Sequence, residues 1–335
     1  MFLMYSPFMV LTLMSLALST IMAMSSANWI LIWVAMELNL LSFIPIIMQS
    51  LTHQETEGSI KYFLAQALGS SILLMSSTSL WSPYIIFPSL MPILLSISIL
   101  LKLGSVPCHF WYPSVMTSIS WFSCLILSTW QKLAPLSILA FILPMKSSSF
   151  FLIVAGVNAL TGGVMGMNQT QLRTIMAYSS IGHIGWMISL IALYKPNSSM
   201  MYFIIYSMLI CPIFIMANKF NMLTIKQMNK MSGKNITMNM SLSMLFMSLG
   251  GLPPLTGFMP KLMTILLLIE SMKIMVLIMI LGSIMNLYYY LNIVINMTLS
   301  TSPLKHLPPF KHKYTFNMFL VSSTMSLGLC PLIIM

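Results

Sequence analysis

Long apolar stretches dominate the chain and constrain its fold more than any other feature. A transmembrane α-helix needs about 20 predominantly apolar residues, and a window of that length gives about eleven candidates along the sequence. They lie at residues 2–24, 28–48, 60–80, 85–104, 121–143, 150–167, 172–193, 200–220, 238–269, 274–297 and 315–335. Alternating apolar and polar segments of about ten residues, which are typical of a transmembrane β-barrel, do not occur. We therefore predict an all-α polytopic membrane protein with about eleven transmembrane helices.

The scarcity of charge excludes a soluble protein. Of the 335 residues, 58% are hydrophobic and only 6% are charged, whereas a soluble domain of average composition carries roughly 25% charged residues. The net charge of +11 comes from basic residues that lie mostly between the apolar stretches and do not cluster among aromatic residues. We therefore expect lipid to surround most of the chain, and we expect no nucleic-acid partner.

The basic residues are divided unevenly between the two sides of the membrane. With eleven helices, the loops after the even-numbered candidates share a face with the N-terminus, and this face receives Lys61, Arg173, Lys219, Lys226, Lys230, Lys234, Lys305, Lys311 and Lys313. The opposite face receives Lys146, Lys195 and Lys273. Because basic loops stay on the cytoplasmic side or its organellar equivalent, we expect the N-terminus on that side and the C-terminus on the other.

Glycine and proline interrupt two of the candidates, the fourth and the ninth. The fourth ends in Leu-Gly-Ser-Val-Pro at residues 103–107, and the ninth contains Gly-Gly-Leu-Pro-Pro at residues 250–254. Proline removes a backbone donor and clashes with the preceding turn, and irregular backbone at membrane depth survives only where protein or a water-filled cavity satisfies it. Paired interruptions in two halves of a chain indicate a transport site, although two packing kinks would give the same pattern.

The two breaks are five candidates apart, and this spacing predicts an internal repeat. An odd number of helices inverts the second copy relative to the first. We therefore expect two inverted five-helix repeats with broken helices 4 and 9, at residues 1–143 and 144–299. A connecting loop and a C-terminal helix are expected at residues 300–335.

Two charged residues, Glu37 and Lys132, lie in the middle of apolar candidates. A charge at the centre of a span costs about 2.5–3.5 kcal/mol on insertion scales. Because a buried acid or base tends toward its neutral form, both residues are candidate proton carriers. The alternative is a static charge pair that holds helices together.

Three further titratable residues lie near the breaks or inside a span. Lys102 and Lys261 flank the two breaks, where a lysine can serve a transport site or extend toward lipid headgroups. His183 lies inside the seventh candidate. It can relay protons if charged groups such as Lys132 and Lys261 line up with it, or it can remain a neutral, hydrogen-bonded histidine.

The sequence contains no motif for a nucleotide or a redox centre. It has no Walker A sequence, no glycine-rich GxGxxG turn after a strand, no CxxC cluster and no paired histidines suited to haem. These are the motifs that would place phosphate, metal or haem ligands at the required spacing. We therefore expect no cofactor in this chain.

Ordered sequence blocks are spread over most of the chain. They are WVAMELNLLSFIP at 33–45, KYFL at 61–64, KLG at 102–104, PCHFWYP at 107–113, TWQKLAP at 129–135, NQTQLR at 168–173 and SLGGLPPLTGFMPK at 248–261. Together these blocks resemble those of the subunit 2 family of animal mitochondrial NADH:ubiquinone oxidoreductase, which is respiratory complex I.

The resemblance implies a function and a location. It implies an antiporter-like, proton-translocating subunit of the membrane arm, with the NADH, FMN, iron–sulfur clusters and ubiquinone of the complex held elsewhere. It also implies the mitochondrial inner membrane, with the N-terminus on the matrix side and the C-terminus on the intermembrane-space side. The expected partners are other membrane-arm subunits of complex I, in an obligate hetero-oligomer, and membrane lipids including cardiolipin.

The resemblance also implies roles for the five titratable residues. Glu37 would be the acidic partner that modulates Lys102, and Lys132 would be the central relay lysine. Lys261 would open toward the far side of the membrane. His183 would bridge Lys132 and Lys261.

Two other functions fit part of the sequence. A stand-alone antiporter that exchanges Na⁺ or K⁺ for protons would be expected to use carboxylates inside the membrane for its hard cation, and Glu37 is the only such residue expected in a span. A structural spacer would carry residual charges that line no common hydrated path. The partner chains that co-purify in mild detergent would distinguish these alternatives.

Overall fold

In a computed structural model, the chain is described over residues 7–50, 52–81, 90–142, 148–225, 227 and 236–299. Within these ranges it is helical and has no strand apart from an isolated bridge between Gln171 and Thr224. The thirteen helices of the described ranges fall in two compact units, Met1–Phe151 and Leu152–Met335.

The first unit contains seven helices. They are α1 (Pro7–Ser25), α2 (Trp29–Ile47), α3 (His53–Trp81), α4 (Leu90–Leu103), α5 (Trp111–Ser118), α6 (Trp121–Ser128) and α7 (Trp130–Ile142). The long helix α3 packs against α2, α4 and α5, while α7 packs against α1, α4 and α6. The helix before the first break and the helix that carries Lys132 are therefore neighbours.

The second unit contains the other six helices, the first of which begins at the unit boundary. They are α8 (Ser148–Met167), α9 (Leu172–Ala192), α10 (Pro196–Phe220), α11 (Ile236–Gly250), α12 (Phe258–Ser271) and α13 (Lys273–Leu299). Helix α9 packs against α10, α12 and α13, and all of its residues except Arg173 and Tyr178 are buried. Because α9 is enclosed by protein, its polar side chains need partners on the helices around it.

Helices α8, α9 and α13 approach one another closely at glycines. A Cβ on Gly162 would lie 2.7 Å from the backbone nitrogen of Gly182, and a Cβ on Gly282 would lie 2.5 Å from the carbonyl oxygen of Ala159. Both distances are shorter than real Cβ contacts, so only glycine permits this separation of the backbones. Close approach at small residues is the usual basis of tight helix packing in membranes.

Eight helices of the described ranges are long and apolar enough to cross a membrane. They correspond to predicted candidates one, two, three, five, six, seven, eight and ten, with α6 and α7 together forming the fifth. The fourth candidate is represented by the shorter helix α4, and the ninth is divided into α11 and α12. The eleventh, at 315–335, lies outside the described residues. The helical membrane fold is confirmed, whereas the count of eleven and the boundaries and inversion of the repeats stay predictions.

An interruption of the fifth span was not predicted. Thr129 separates α6 from α7 with a φ of −114° and a ψ of −74°. Its hydroxyl donates to the carbonyl of Leu125 at 2.7 Å, and such local bonds from threonine compete with regular helix geometry. The interruption lies just before Lys132.

Replacement of Gly282 by alanine is expected to destabilise the second unit. The new methyl group would force α8 and α13 apart, and overpacking of this kind costs about 1–3 kcal/mol. Thermal unfolding of the protein in detergent measures the effect. Ile284→Val on the same helix is the control, because this side chain is 57% exposed. Unfolding of the Gly282→Ala protein at the wild-type temperature would contradict the packing.

Candidate functional site

The first helix break is capped partly by its own turn. Helix α4 ends at Leu103, and Gly104 follows with a φ of +70°, which favours glycine. The N–H of Gly104 donates to the carbonyl of Leu101 at 3.0 Å. The N–H and the hydroxyl of Ser105 both donate to the carbonyl of Leu100, at 3.0 and 2.9 Å. The turn therefore satisfies two of the carbonyls that a helix end leaves without an intrahelical partner.

Two side chains from other helices complete this cap. The indole Nε1 of Trp111, at the start of α5, donates to the carbonyl of Leu101 at 3.1 Å. The amide Nε2 of Gln66, on α3, donates to the carbonyl of Lys102 at 3.2 Å. Protein groups thus satisfy irregular backbone as a membrane interior requires, and they hold the backbone of Lys102 in place.

Lys102 is buried within electrostatic range of an acidic residue. Its side chain is on the last turn of α4 and is only 5% exposed. Glu37, which is half-buried on α2, interacts with it electrostatically. The structure therefore places the pair that the resemblance associates within electrostatic range, in an interior where the attraction between opposite charges is less screened than in water.

Lys132 lies against an aromatic ring that follows the first break. It is on α7 and is 2% exposed, and its Nζ lies 4.8 Å from the centroid of the Tyr112 ring. A cation at this distance over a ring face makes a cation–π interaction. The same ring packs on Gly104, where an added Cβ would meet the Cβ of Tyr112 at 3.0 Å. Tyr112 therefore contacts both Lys132 and the break beside Lys102.

A chain of polar side chains fixes the helices that carry Glu37 and Lys132. The hydroxyl of Tyr62 donates to Oε1 of Gln131 at 3.4 Å, and Nε2 of Gln131 donates to Oδ1 of Asn39 at 2.9 Å. This chain joins α3, α7 and α2. Gln131 immediately precedes Lys132, and Asn39 lies two residues after Glu37. The sequence analysis missed these residues, although polar side chains beside a charge inside an apolar stretch are a usable signal.

The second break begins with a glycine in the left-handed region. Gly251 follows the last residue of α11 with a φ of +86°. Its N–H donates to the carbonyls of Met247 and Ser248 at 3.1 and 3.0 Å. The backbone itself therefore satisfies two carbonyls in the last turn of α11.

The side chain of Lys261 satisfies two further carbonyls at this break. Lys261 is near the start of α12 and is 4% exposed. Its Nζ donates to the carbonyl of Leu249 at 3.1 Å and to that of Gly250 at 2.9 Å. The predicted site lysine of the second unit thus lies directly against the end of the broken helix.

His183 lies on α9 among tyrosines of α10. It is 4% exposed, and its Nδ1 forms a hydrogen bond with the hydroxyl of Tyr202 at 2.9 Å. The centroid of the Tyr206 ring, one turn further along α10, lies 4.9 Å from that of the imidazole. The histidine is therefore held in a buried polar cluster rather than in a purely apolar one.

Helix α13 adds two tyrosines to the second unit. The ring centroids of Tyr289 and Tyr290 are 4.7 Å apart, and both residues interact through their side chains with Ser179 on α9. Tyr290 also lies near Tyr202, the partner of His183. The sequence analysis missed this hydroxyl cluster, although three consecutive tyrosines at 288–290 inside an apolar span indicated it.

Each unit thus holds its own set of buried or half-buried titratable groups. The first has Glu37, Lys102 and Lys132, and the second has His183 and Lys261. Over the ranges that the structure describes, no three His, Cys, Asp or Glu side chains form a group that could hold a metal ion. Amines, an imidazole and hydroxyls in these positions can accept and donate protons.

Comparison with known proteins gives the family. Residues 26–84 and 85–286 match the model of the NADH:quinone oxidoreductase/Mrp antiporter transmembrane family. NADH-ubiquinone oxidoreductase chain 2 of Lumbricus terrestris is 61% identical, over 98% of this chain and 98% of the relative. The same-named chain of Oryctolagus cuniculus is 37% identical, over 96% of this chain and 97% of the relative.

The fold is also similar to that of a solved structure, respiratory complex I from Thermus thermophilus. The TM-score is 0.86, with 21% identity, and the match covers 98% of this chain and 79% of that chain. The sequence blocks, the two capped helix breaks and these comparisons agree. The chain belongs to the NADH:quinone oxidoreductase/Mrp antiporter membrane family and, within it, to the NADH-ubiquinone oxidoreductase chain 2 proteins.

Proposed function

We propose that this chain is a proton-translocating subunit in the membrane arm of respiratory complex I. The observation that carries the proposal is the pair of capped helix breaks, each with a buried lysine, Lys102 or Lys261, at its end. The chain 2 relatives bear the name of an enzyme that transfers electrons from NADH to ubiquinone. Electron transfer takes place elsewhere in the complex, and this subunit couples it to proton movement.

In the first unit, the separation of Glu37 and Lys102 would control the proton affinity of the lysine. The attraction between a carboxylate and an ammonium group depends on their distance and on the surrounding dielectric. Because Gln66 and Trp111 hold the backbone around Lys102, a change of distance would come from displacement of Glu37 or its helix, or from a new rotamer of the Lys102 side chain. A rearrangement driven by quinone chemistry elsewhere could therefore make Lys102 take up or release a proton.

Lys132 would be the central relay of the pathway. The face of the Tyr112 ring stabilises its ammonium form. A cation–π contact contributes only about 0.5–2 kcal/mol, so it favours the ammonium form without preventing release of the proton. This arrangement suits a group that accepts and passes on protons.

In the second unit, His183 and Lys261 would continue the transfer. The hydrogen bond between His183 and Tyr202 gives the imidazole a hydroxyl neighbour through which a proton can pass. Lys261, at the second break, would release protons toward the far side. The transfer needs no covalent intermediate, because each step moves a proton between acid–base groups or water.

The location and partners follow from the same proposal. The chain would lie in the mitochondrial inner membrane, with its N-terminus in the matrix and its C-terminus in the intermembrane space. It would be an obligate subunit beside other membrane-arm subunits, with cardiolipin among its lipids. NADH, FMN, iron–sulfur clusters and ubiquinone would be bound elsewhere in the complex.

A stand-alone cation/proton antiporter is the second candidate, because the matching family model includes Mrp antiporters. Its hard-cation site would require several oxygen ligands. Glu37 is the one acidic residue that we place in the interior of a span among the described residues. Purification in mild detergent distinguishes the two: complex I subunits should accompany the chain, and an isolated chain that exchanges Na⁺ or K⁺ for protons would support the antiporter.

Replacement of Lys132 by methionine is expected to leave assembly largely intact and to lower coupled turnover by about tenfold or more, since a positioned proton carrier typically contributes at least that factor. The measurement is NADH-driven proton uptake by proteoliposomes that contain the purified complex. Lys61→Met is the control, because this lysine lies at the exposed end of α3 and pairs with Glu57. Normal pumping by a fully assembled Lys132→Met complex would refute the assignment.

Two substitutions of Tyr112 are expected to differ in effect. Tyr112→Phe keeps the ring face under Lys132, whereas Tyr112→Leu removes it. Since a cation–π interaction contributes about 0.5–2 kcal/mol, we expect coupled turnover to fall several-fold in the leucine variant and to change little in the phenylalanine variant. Equal losses in the two variants would show that the ring face does not act on Lys132.

A further inference from the structure

The two helix breaks are capped by different kinds of group. At the first, the carbonyls of Leu101 and Lys102 accept hydrogen bonds from the side chains of Trp111 and Gln66. At the second, two carbonyls at the end of α11 accept hydrogen bonds from Nζ of Lys261. A residue assigned to proton transfer thus performs at the second break the task that neutral side chains perform at the first.

This cap constrains the movement of the lysine. If the amine of Lys261 turned away, the carbonyls of Leu249 and Gly250 would lose their donor in a buried position. Unsatisfied carbonyls are strongly unfavourable at membrane depth. The amine can therefore leave only if the end of α11 rearranges or if water enters the break.

Gly251 leaves the space in which the amine lies. A Cβ at this position would lie 2.9 Å from Nζ of Lys261 and 3.0 Å from its Cδ. The neighbouring Gly250 differs, since the atom nearest to an added Cβ there is at 3.7 Å, an ordinary contact distance. Of these two adjacent glycines, only Gly251 has a direct steric connection to the lysine.

The far end of the break, at Gly257, also packs closely against α11. A Cβ on Gly257 would overlap the carbonyl of Ser248. The segment between Gly251 and Gly257 therefore returns to the end of α11. The amine of Lys261 contacts the same helix end. The side chain of Lys261 and the turn are therefore packed together.

We propose that Lys261 is the C-terminal cap of the broken helix α11, that Gly251 is its positioning residue, and that movement of the Lys261 amine and opening of the second break are a single conformational step. The proposal rests on the proposed function only for its consequence, which is that proton release toward the far side requires the break to open. The cap itself can be tested without any assumption about proton pumping.

The test is backbone hydrogen–deuterium exchange of the assembled complex, followed in peptides that cover residues 247–257. Lys261→Met removes the donor, so we expect the amides of the last turn of α11 and of the break to exchange about tenfold faster. Lys132→Met is the control, because it removes a proposed proton carrier that belongs to the other unit. Exchange in Lys261→Met at the wild-type rate would overturn the proposal.

A second pair of variants tests the role of Gly251. Gly251→Ala is expected to displace the amine and to accelerate exchange in the same peptides, whereas Gly250→Ala is expected to keep the wild-type rate. The Gly251→Ala measurement also replaces that of Lys261→Met if the latter does not assemble, since it retains the lysine. Equal exchange in Gly251→Ala and wild type would overturn the positioning role.

The double variant separates displacement of the lysine from backbone strain at the positive φ of Gly251. If Gly251 acts through Lys261, Gly251→Ala adds little to the exchange rate in the Lys261→Met background. If the two substitutions instead accelerate exchange independently, so that their factors multiply in the double variant, the alanine only strains the turn. That result would overturn the positioning role. Failure of the proposed function has a different signature, namely normal proton uptake in Lys132→Met, and it leaves the exchange results unchanged.

Discussion

A helix that ends inside a membrane leaves carbonyl groups that neither lipid nor a continuing helix can satisfy, and the rest of this structure depends on how that requirement is met. At the first break a serine, a tryptophan and a glutamine supply the donors. At the second, a left-handed glycine and Lys261 supply them. Once the backbone is satisfied, each break can persist in the interior and hold a lysine there.

The caps also determine what surrounds the charges. Tyr112 follows the first break and provides the ring face under Lys132, while the backbone of Lys102 is fixed within reach of the field of Glu37. In the second unit, the imidazole of His183 forms a hydrogen bond with the hydroxyl of Tyr202 on α10. Each titratable group therefore has a neighbour that can influence or share its proton, as a relay requires.

The fold class could be predicted from the sequence because it depends on local composition, and local composition also drew attention to the candidate site residues. Glu37 and Lys132 were conspicuous as charges inside apolar stretches, and Gly250 to Pro254 marked a break without reference to any other part of the chain. The neighbours of these residues could not be predicted, because they come from distant segments. Gln66 is 36 residues from Lys102, and Gln131 is 92 residues from Asn39. The interruption at Thr129 was also missed, since no glycine or proline marks it.

The central claim is that the lysines at the helix breaks carry protons that electron transfer drives across the membrane. Its most direct test is the number of protons translocated per NADH oxidised, measured in proteoliposomes with fully assembled complex that carries Lys102→Met in this chain. The account predicts a lower ratio of protons to electrons than in the wild type, because methionine at position 102 cannot take up a proton. An unchanged ratio at an unchanged rate of NADH oxidation would contradict it.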